Sequence, residues 1–429
     1  MLIKTLLNRV HPVKGFVYQK VQWVVDPNRP NGFELAVTLR PRRGSRGVCS
    51  SCGQRGRVYD TPSPARRFEF VPLWGVAVIF LYVMRRINCP HCGVKVERVP
   101  WATGHAKSPL TQAYASFLAT WAKHLSWSQV ATVFSVHWHT VYQAVQSVVS
   151  YGLSHRTLSN INAIGVDEVA YAKGHHYATL VYQIDQGQRR LLHVAKGRTT
   201  KSLMSFFVML RRQGRRQQID LIEPIHFVCS DMWQAYRKVI DKMVPQAIHI
   251  LDRYHLVAML NKALDQVRAQ EARQLKAQGW DVLNKSRWLL LRRRKRLDGK
   301  KRYKLRQILQ WDLRTVRAYL LKESLMALWE YRSPTFAGRY LDAWCQRAMR
   351  CRIDPIKQVA RSLRKHRPLI LNWFHAKRQY NSGIVEGMNL NVKLRFRKAY
   401  GFRTFNAIQV ALYHELGDLP RPPATHRFV

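Results

Sequence analysis

Apolar positions change period twice along this chain, and each change marks a different kind of element. Between residues 15 and 39 they alternate with polar ones, in Phe16-Val-Tyr, Val21-Gln-Trp-Val-Val and Phe33-Glu-Leu-Ala-Val-Thr-Leu. A period of two predicts short strands. Phe68 to Ile87 is again strand-like, with Arg66, Arg67, Arg85 and Arg86 at its ends. A helical block begins at Ser108-Pro-Leu, where Pro109 suits a first helical position, and Ala113, Phe117 and Trp121 recur at spacing four. Strands return at Ile161 to Tyr171, Tyr177 to Ile184 and Arg190 to Ala195, the last two joined by a turn at Asp185-Gln-Gly-Gln. A helix over Thr199 to Leu210, a strand over Ile225 to Ser230, a helix over Gln234 to Met243 and a strand over Ala247 to Asp252 follow. From about Val257 to Asn381 the pattern is helical throughout.

Two of these strands carry carboxylates where burial makes them costly. Ile161 to Tyr171 is an apolar run that ends in Asp167 and Glu168, and adjacent acids there need a metal or a cation. Side chains alternate along a strand, so only one of the pair can face a shared site. Val166 and Glu168 share one face, which leaves Asp167 as the site residue. The second strand repeats the design in Ile225-His-Phe-Val-Cys-Ser-Asp231, with a helix start in Met-Trp-Gln-Ala-Tyr. Two aspartates at the C-terminal edge of one sheet suit a shared divalent cation; each alone is equally well a helix cap. Asp252 also ends a strand, ahead of Arg253-Tyr-His255, and either competes with Asp231 or supports it from behind together with His255. The order of three strands, helix, strand, helix, strand resembles the ribonuclease H-like fold, which implies catalytic acids on the first and fourth strands.

The cysteines add a second site. Cys49-Ser-Ser-Cys52-Gly and Cys89-Pro-His-Cys92-Gly are matched knuckles, and four thiolates make a closed tetrahedral zinc site that folds a small β module. Glycine after each knuckle lets the chain turn back on the sulfurs. The 36 residues between Cys52 and Cys89 exceed the usual ribbon spacing, and a redox pair or His91 in place of one cysteine are the alternatives. Cys229, Cys345 and Cys351 look like buried or free thiols; with no signal peptide visible, this suits a reducing cytoplasm.

Charge then decides the partner. The chain has 429 residues, enough for several domains, and Lys+Arg 72 against Asp+Glu 25 gives a net charge of +47. A chain this basic binds polyanions, nucleic acid foremost. The basic residues are spread along the sequence instead of forming one amphipathic helix, and Val71 to Met84 is too short to span a bilayer, so no membrane role is expected. Leu125 to Val145 has the pattern of a helix-turn-helix: Val130, Ala131 and Phe134 inside, a turn at Ser135 to His137, and Val141 and Val145 anchoring a helix from about Trp138. His139, Thr140 and Gln143 then face outward where base edges are read. The run Arg292, Arg293, Arg294, Lys295, Arg296 and the cluster after Lys300 form a candidate phosphate-binding surface. Trp280, Trp288, Trp311, Trp329, Trp344 and Trp373 are expected in cores.

A third acid stands near the end, in Tyr380-Asn-Ser-Gly-Ile-Val-Glu386-Gly-Met-Asn-Leu-Asn-Val-Lys-Leu-Arg. On a helix, Glu386, Asn389, Lys393 and Arg397 form one stripe, the acid for a metal and its neighbours for the DNA backbone. The zinc knuckles, the helix-turn-helix, Gly165-Val-Asp-Glu, Ser230-Asp-Met-Trp, Leu251-Asp-Arg-Tyr-His-Leu and Gly383-Ile-Val-Glu-Gly-Met-Asn with Lys393 and Gly401-Phe resemble, in order over nearly the whole chain, the ISL-three family of bacterial insertion-sequence transposases. The resemblance implies a DDE transposase with Asp167, Asp231 and Glu386 as its triad and a helical insertion in the catalytic fold. Two Mg²⁺ (or Mn²⁺) ions about 3.5–4 Å apart serve such phosphodiester chemistry, with Asp167 assigned as the bridge, Asp231 to one ion and Glu386 to the other.

The expected architecture is a multidomain α/β chain: a zinc-binding β module (1–104), a helix-turn-helix domain (105–158), the ribonuclease H-like catalytic domain (159–256 and 381–417), its basic helical insertion (257–380) and a tail (418–429). The expected partners are double-stranded DNA, as terminal inverted repeats and as target, and further copies of the chain assembled on it, in the nucleoid. A DNA-binding regulator with an inactive catalytic fold and a structure-selective nuclease are the competing readings.

Overall fold

The computed structural model describes residues 3–62, 64–102, 109–251, 253–380 and 383–423, so Ser108, Asp252 and Asn381 lie outside the described residues. The chain divides into two compact units, Met1–Thr157 with Leu394–Val429, and Leu158–Lys393.

The first unit opens with α1 (Ile3–Val10) and two four-stranded sheets. One has the order β1 (Phe16–Val25), β2 (Phe33–Pro41), β6 (Val76–Tyr82), β5 (Arg66–Leu73). Its alternating apolar face buries Tyr18, Leu35, Val37, Phe68, Phe80 and Tyr82, and Phe70 stacks on Phe80 at 4.5 Å. The other joins β3 (Gly47–Val48), β4 (Arg55–Asp60), β7 (Arg86–Cys89) and β8 (Gly93–Val96). Helices α2 (Gln112–His124), α3 (Trp127–Val133) and α4 (Trp138–His155) follow, and α15 (Phe405–Leu416) packs on α4.

The helical block starts three residues later than Pro109. The backbone explains this: Glu69 N–H donates to Pro109 O and Thr111 N–H donates to Glu69 O, so residues 109–111 extend the sheet edge before the Thr111 hydroxyl caps α2.

The second unit is a five-stranded sheet of order β11 (Gln188–Lys196), β10 (His176–Asp185), β9 (Ala163–Ala172), β12 (Phe227–Ser230), β13 (Ile248–Leu251). The first three strands are antiparallel; β12 and β13 run parallel to β9. Helices α5 (Thr200–Gln217) and α6 (Gln234–Met243) cover one face, where Ile164, Val166, Val181, Leu203, Phe206, Phe207 and Tyr236 make the core. On the other face α14 (Gly383–Lys398) reaches β9. Gly165 is needed there, because a Cβ at that position would sit 2.4 Å from Val385 Cγ2. Strand β9 runs on past its two acids to Ala172, paired with β10 as far as His176, so Asp167 and Glu168 lie inside the strand and not at its end.

Between β13 and α14 lie α7 (Arg253–Ala277), α8 (Arg287–Leu291), α9 (Gly299–Ile308), α10 (Arg314–Met326), α11 (Pro334–Arg350), α12 (Asp354–Lys365) and α13 (Arg367–His375). The tryptophans divide. Trp329, Trp344 and Trp373 are buried, but Trp280, Trp288 and Trp311 are exposed. Around the latter three the core is aliphatic, built from Leu283, Leu289, Ile308, Leu313 and Val316. The indoles sit outside it, Trp280 edge-on to Trp311 at 5.5 Å and Trp288 under the Arg287 guanidinium at 5.2 Å. Among the described residues no helix is long and apolar enough to cross a membrane.

Candidate functional site

Backbone pairing brings two of the acids level. In the parallel ladder Phe227 pairs with Ala163, Val228 with Ile164 and Cys229 with Gly165. Two residues further along each chain are Asp231, just past the end of β12, and Asp167, still within β9. Beyond Ser230 the chain leaves the ladder, and Asp231 Oδ1 accepts from Trp233 N–H at 2.9 Å, which turns the chain into α6.

Asp167 is held on both sides. Its Oδ1 accepts from Glu168 N–H at 2.8 Å, and its Oδ2 accepts from Asn389 Nδ2 at 2.5 Å. Tyr182 in turn donates to Asn389 Oδ1 at 2.7 Å. Burial, then the charge of Asp167, push the Tyr182 phenol well above its ordinary range, so it stays a donor and fixes which way the amide points. Asn389 was expected on the open stripe of α14. It is buried, and both amide atoms are spent inside the fold, while Glu386, Lys393 and Arg397 remain exposed. Glu386 lies one helical turn from Asn389, about 4.5 Å along the axis.

Glu168, set aside by the alternation argument, joins the same cluster. Burial, then the charges of Asp231 and Asp167, push its carboxyl up to about 7, against the pull of Arg198 and His255. Its Oε2 is buried with no hydrogen-bond partner among the described residues, and its Oε1 lies 3.9 Å from Arg198 Nη1. A buried orphan carboxylate oxygen among two more acids suits a cation, which lowers both the burial cost and the repulsion. As they stand, Asp167, Asp231 and Glu386 are not drawn to metal-ligating distance. The four cysteines are, among the described residues, the one group of three or more such side chains whose ligand atoms all lie within 4.8 Å of one another.

That cysteine cluster is built by the smaller sheet. Cys49 follows β3, Cys89 ends β7, and Gly53 and Gly93 take left-handed φ of +76° and +68° to close the knuckles. Tetrahedral sulfurs around a metal–sulfur bond of about 2.3 Å stand about 3.8 Å apart, and Cys52 and Cys89 Sγ are 3.4 Å apart. Backbone N–H groups of Cys52 and Ser51 pull the Cys49 thiol down to about 6, and contact with Cys52 pushes Cys92 up to about 12. Four sulfurs this close can hold a metal ion between them.

In the helical pair, Ser126 and Gln129 form a capping box, Ser135 turns the chain with φ +51°, and α4 begins at Trp138. Val130, Ala131, Val141 and Val145 are buried; His139 and Gln143 are exposed and Thr140 half-buried. Arg292, Arg293 and Arg294 are exposed in the loop after α8. His255 is half-buried on the first turn of α7.

Comparison with known proteins gives the cluster a context. A family model described as Transposase matches residues 164–412, from β9 into α15. The transposase for insertion sequence element IS1001 of Bordetella parapertussis is 30% identical over 408 residues, covering 94% of this chain and 96% of that protein. The transposase for insertion sequence element IS1557 of Mycobacterium tuberculosis is 29% identical over 425 residues, covering 92% of each. With the matched region holding both level strands and the helix that docks on them, the chain belongs to the ISL-three family of insertion-sequence transposases.

Proposed function

We propose that this chain cuts and joins DNA with a DDE-type site on a ribonuclease H-like sheet, in which Asp167, Asp231 and Glu386 act together and Glu168 is a fourth acid beside them. The observation that carries this reading is the parallel pairing of β9 with β12, which ends two residues before Asp167 and Asp231, with α14 laid onto Asp167 through Asn389.

Bound at these acids, two Mg²⁺ or Mn²⁺ ions would neutralise phosphate charge and acidify a water. Asp167, oriented by Asn389 and Tyr182, would hold these ions together with Asp231 and Glu386. In the first reaction water attacks the phosphodiester at the element's end and frees a 3′-hydroxyl. In the second that hydroxyl attacks a target phosphodiester in line. Both are displacements at phosphorus, so one site serves both and no covalent protein intermediate is needed. The cysteine cluster holds one structural zinc. His139, Thr140 and Gln143 read the terminal repeats, and Arg292, Arg293 and Arg294, with Lys393 and Arg397, hold phosphates. Copies of the chain pair the two ends on DNA.

The test is a supercoiled plasmid carrying the DNA that flanks the reading frame, incubated with protein and Mg²⁺. Asp167→Asn, Asp231→Asn and Glu386→Gln should each abolish end cleavage and leave gel-shift affinity equal or slightly higher, since repulsion is relieved. Asp252→Asn should lose about 10–100-fold as a supporting residue. If Asp231→Asn cleaves well and Asp252→Asn does not, Asp252 takes its place as the second ligand. Cuts at branched DNA alone, or binding without cutting, would favour a nuclease or a regulator.

A further inference from the structure

Beside the acids sits a cation whose orientation is fixed and whose donors are unused. Arg198 lies in the loop between β11 and α5. Its guanidinium carbon stands 4.2 Å from the Tyr177 ring centroid and 4.8 Å from that of Trp233. Trp233 is itself pinned at both ends: its indole N–H donates to Arg198 O at 2.9 Å, and its backbone N–H donates to Asp231. Tyr177 is pinned by its carbonyl, which accepts from Gly197 N–H at 2.7 Å. The two rings therefore grip the guanidinium from the strand paired with β9 and from the turn that carries Asp231.

This grip leaves the planar fork open. The side chain is 36% exposed, and its closest acid, Glu168, is 3.9 Å away, too far for a hydrogen bond. Among the described residues the guanidinium makes no hydrogen bond. An arginine that serves only to offset an acidic cluster would spend its five donors on those carboxylates. One stacked between aromatic rings has already lost its rotamer freedom and keeps its donors for an outside acceptor.

We propose that Arg198, held between Tyr177 and Trp233, binds a phosphodiester of the DNA strand that enters the carboxylate site. The chemistry selects this ligand: a planar fork matches two phosphate oxygens, a neighbouring phosphate is present whenever DNA reaches Asp231, and Trp233 ties the fork to that aspartate's own loop. The proposal rests on the DNA-cleaving reading above, and the experiment separates the two.

Full-length protein is titrated with a fluorescent duplex cut from the DNA flanking the reading frame, across a series of salt concentrations, and cleavage is followed on the same DNA. Arg198→Ala should reduce the slope of log affinity against log salt by about 0.9, the signature of one lost phosphate contact. It should slow cleavage by about 10- to 100-fold, as loss of a charged hydrogen bond does. Arg198→Lys should keep the slope, because the charge remains, and still cleave slowly, because the fork is gone. Trp233→Leu, which leaves Arg198 in place, should slow cleavage while its own melting temperature stays near that of the wild type, and wild-type cleavage by it overturns the proposal. Wild-type slope or wild-type cleavage in a folded Arg198→Ala protein overturns the proposal, as does full cleavage by Arg198→Lys. If Asp167→Asn cleaves normally, the catalytic reading fails instead, while the salt slope of Arg198→Ala still reports whether the phosphate contact exists.

Discussion

Gly165→Ala tests whether the docking of α14 on β9 is what completes the site. The added Cβ would lie 2.4 Å from Val385 Cγ2 and 3.2 Å from Ile184 Cγ2, and both neighbours are buried. Neither atom is the loose end of a long side chain, so α14 must move outward. Overpacking of this kind costs about 1–3 kcal/mol, which in a unit of this size lowers the melting temperature by about 2–4 °C per kcal/mol. The same movement pulls Asn389 from Asp167 and carries Glu386 with it, and a displacement near 1 Å at a reacting centre costs about 100-fold in rate. Val385→Ala alone removes the clashing carbon and leaves a hole, at roughly 2 kcal/mol. In the double variant the new Cβ faces the remaining Val385 Cβ at 3.7 Å, ordinary contact, with only the tight Ile184 approach left. Urea denaturation and plasmid cleavage on the four proteins close the cycle. The double variant should be more stable than the sum of the single losses by about 1–2 kcal/mol and should regain cleavage relative to Gly165→Ala. Additive losses, or a Gly165→Ala protein with wild-type stability and cleavage, would refute the reasoning.

Three further outcomes are expected. Cys52→Ser should release the metal and unfold the N-terminal β module; an unchanged zinc content in that variant sinks the assignment. Thr140→Ala should relax sequence preference, whereas neutralising Arg292, Arg293 and Arg294 should weaken binding to every duplex and flatten its salt dependence; equal loss of specificity from both changes contradicts the division. His249, buried in β13 with Nε2 2.7 Å from Ser230 Oγ, has its pKa lowered by burial from 6.5 to about 4. The unfolded chain therefore takes up this proton first as pH falls. Stability from this group is intact above about pH 6.5 and is lost on descending through pH 4, roughly 3 kcal/mol in all. His249→Gln should flatten the urea midpoint over that window, and an unaltered acid slope would count against it.

Local pattern carried most of the elements into the sequence. The period of two exposed the strands, the spacing of the knuckles gathered four thiols now found within 4.8 Å, and Val141 and Val145 marked the inner face of α4 correctly. What failed was whatever depended on a partner far away in the chain. Glu168 does face away from Asp167, beside Thr179 and Tyr236, but Asp231 lies beyond the end of β12, where alternation no longer applies, and its charge still reaches Glu168. Asn389 looked like a DNA contact because the stripe of a helix is legible but not what covers it, and its partners are Asp167 and Tyr182, more than 200 residues earlier. The exposed Trp280, Trp288 and Trp311 follow the same logic: apolar content says that a residue can be buried, and only the local supply of Leu and Ile decides whether it must be.

The three proposed acids are not held by equal means. Asp167 is set by the backbone ladder of β9 with β10, and Asp231 by the turn that follows β12, where it accepts from Trp233 N–H. Glu386 has no such ladder. Its height over the sheet is fixed where α14 touches β9, and in that contact Val385 meets a residue with no side chain while Asn389 meets the carboxylate itself. Both contacts come from residues within one turn of Glu386, Val385 beside it and Asn389 three residues on. A glycine two residues before Asp167 is therefore a condition for bringing the third acid down, and the amide at Asn389 both seats the helix and aims the central carboxylate. Since the hydrogen bond from Tyr182 needs only an acceptor, Asn389→Asp would keep that bond and replace the other with repulsion between two carboxylates. That one change should unseat α14 while leaving β9 and β12 paired, so cleavage should fall more than the melting temperature does. Equal falls in both would mean that the ladder and the helix are one cooperative unit, and that the third acid is as firmly set as the other two.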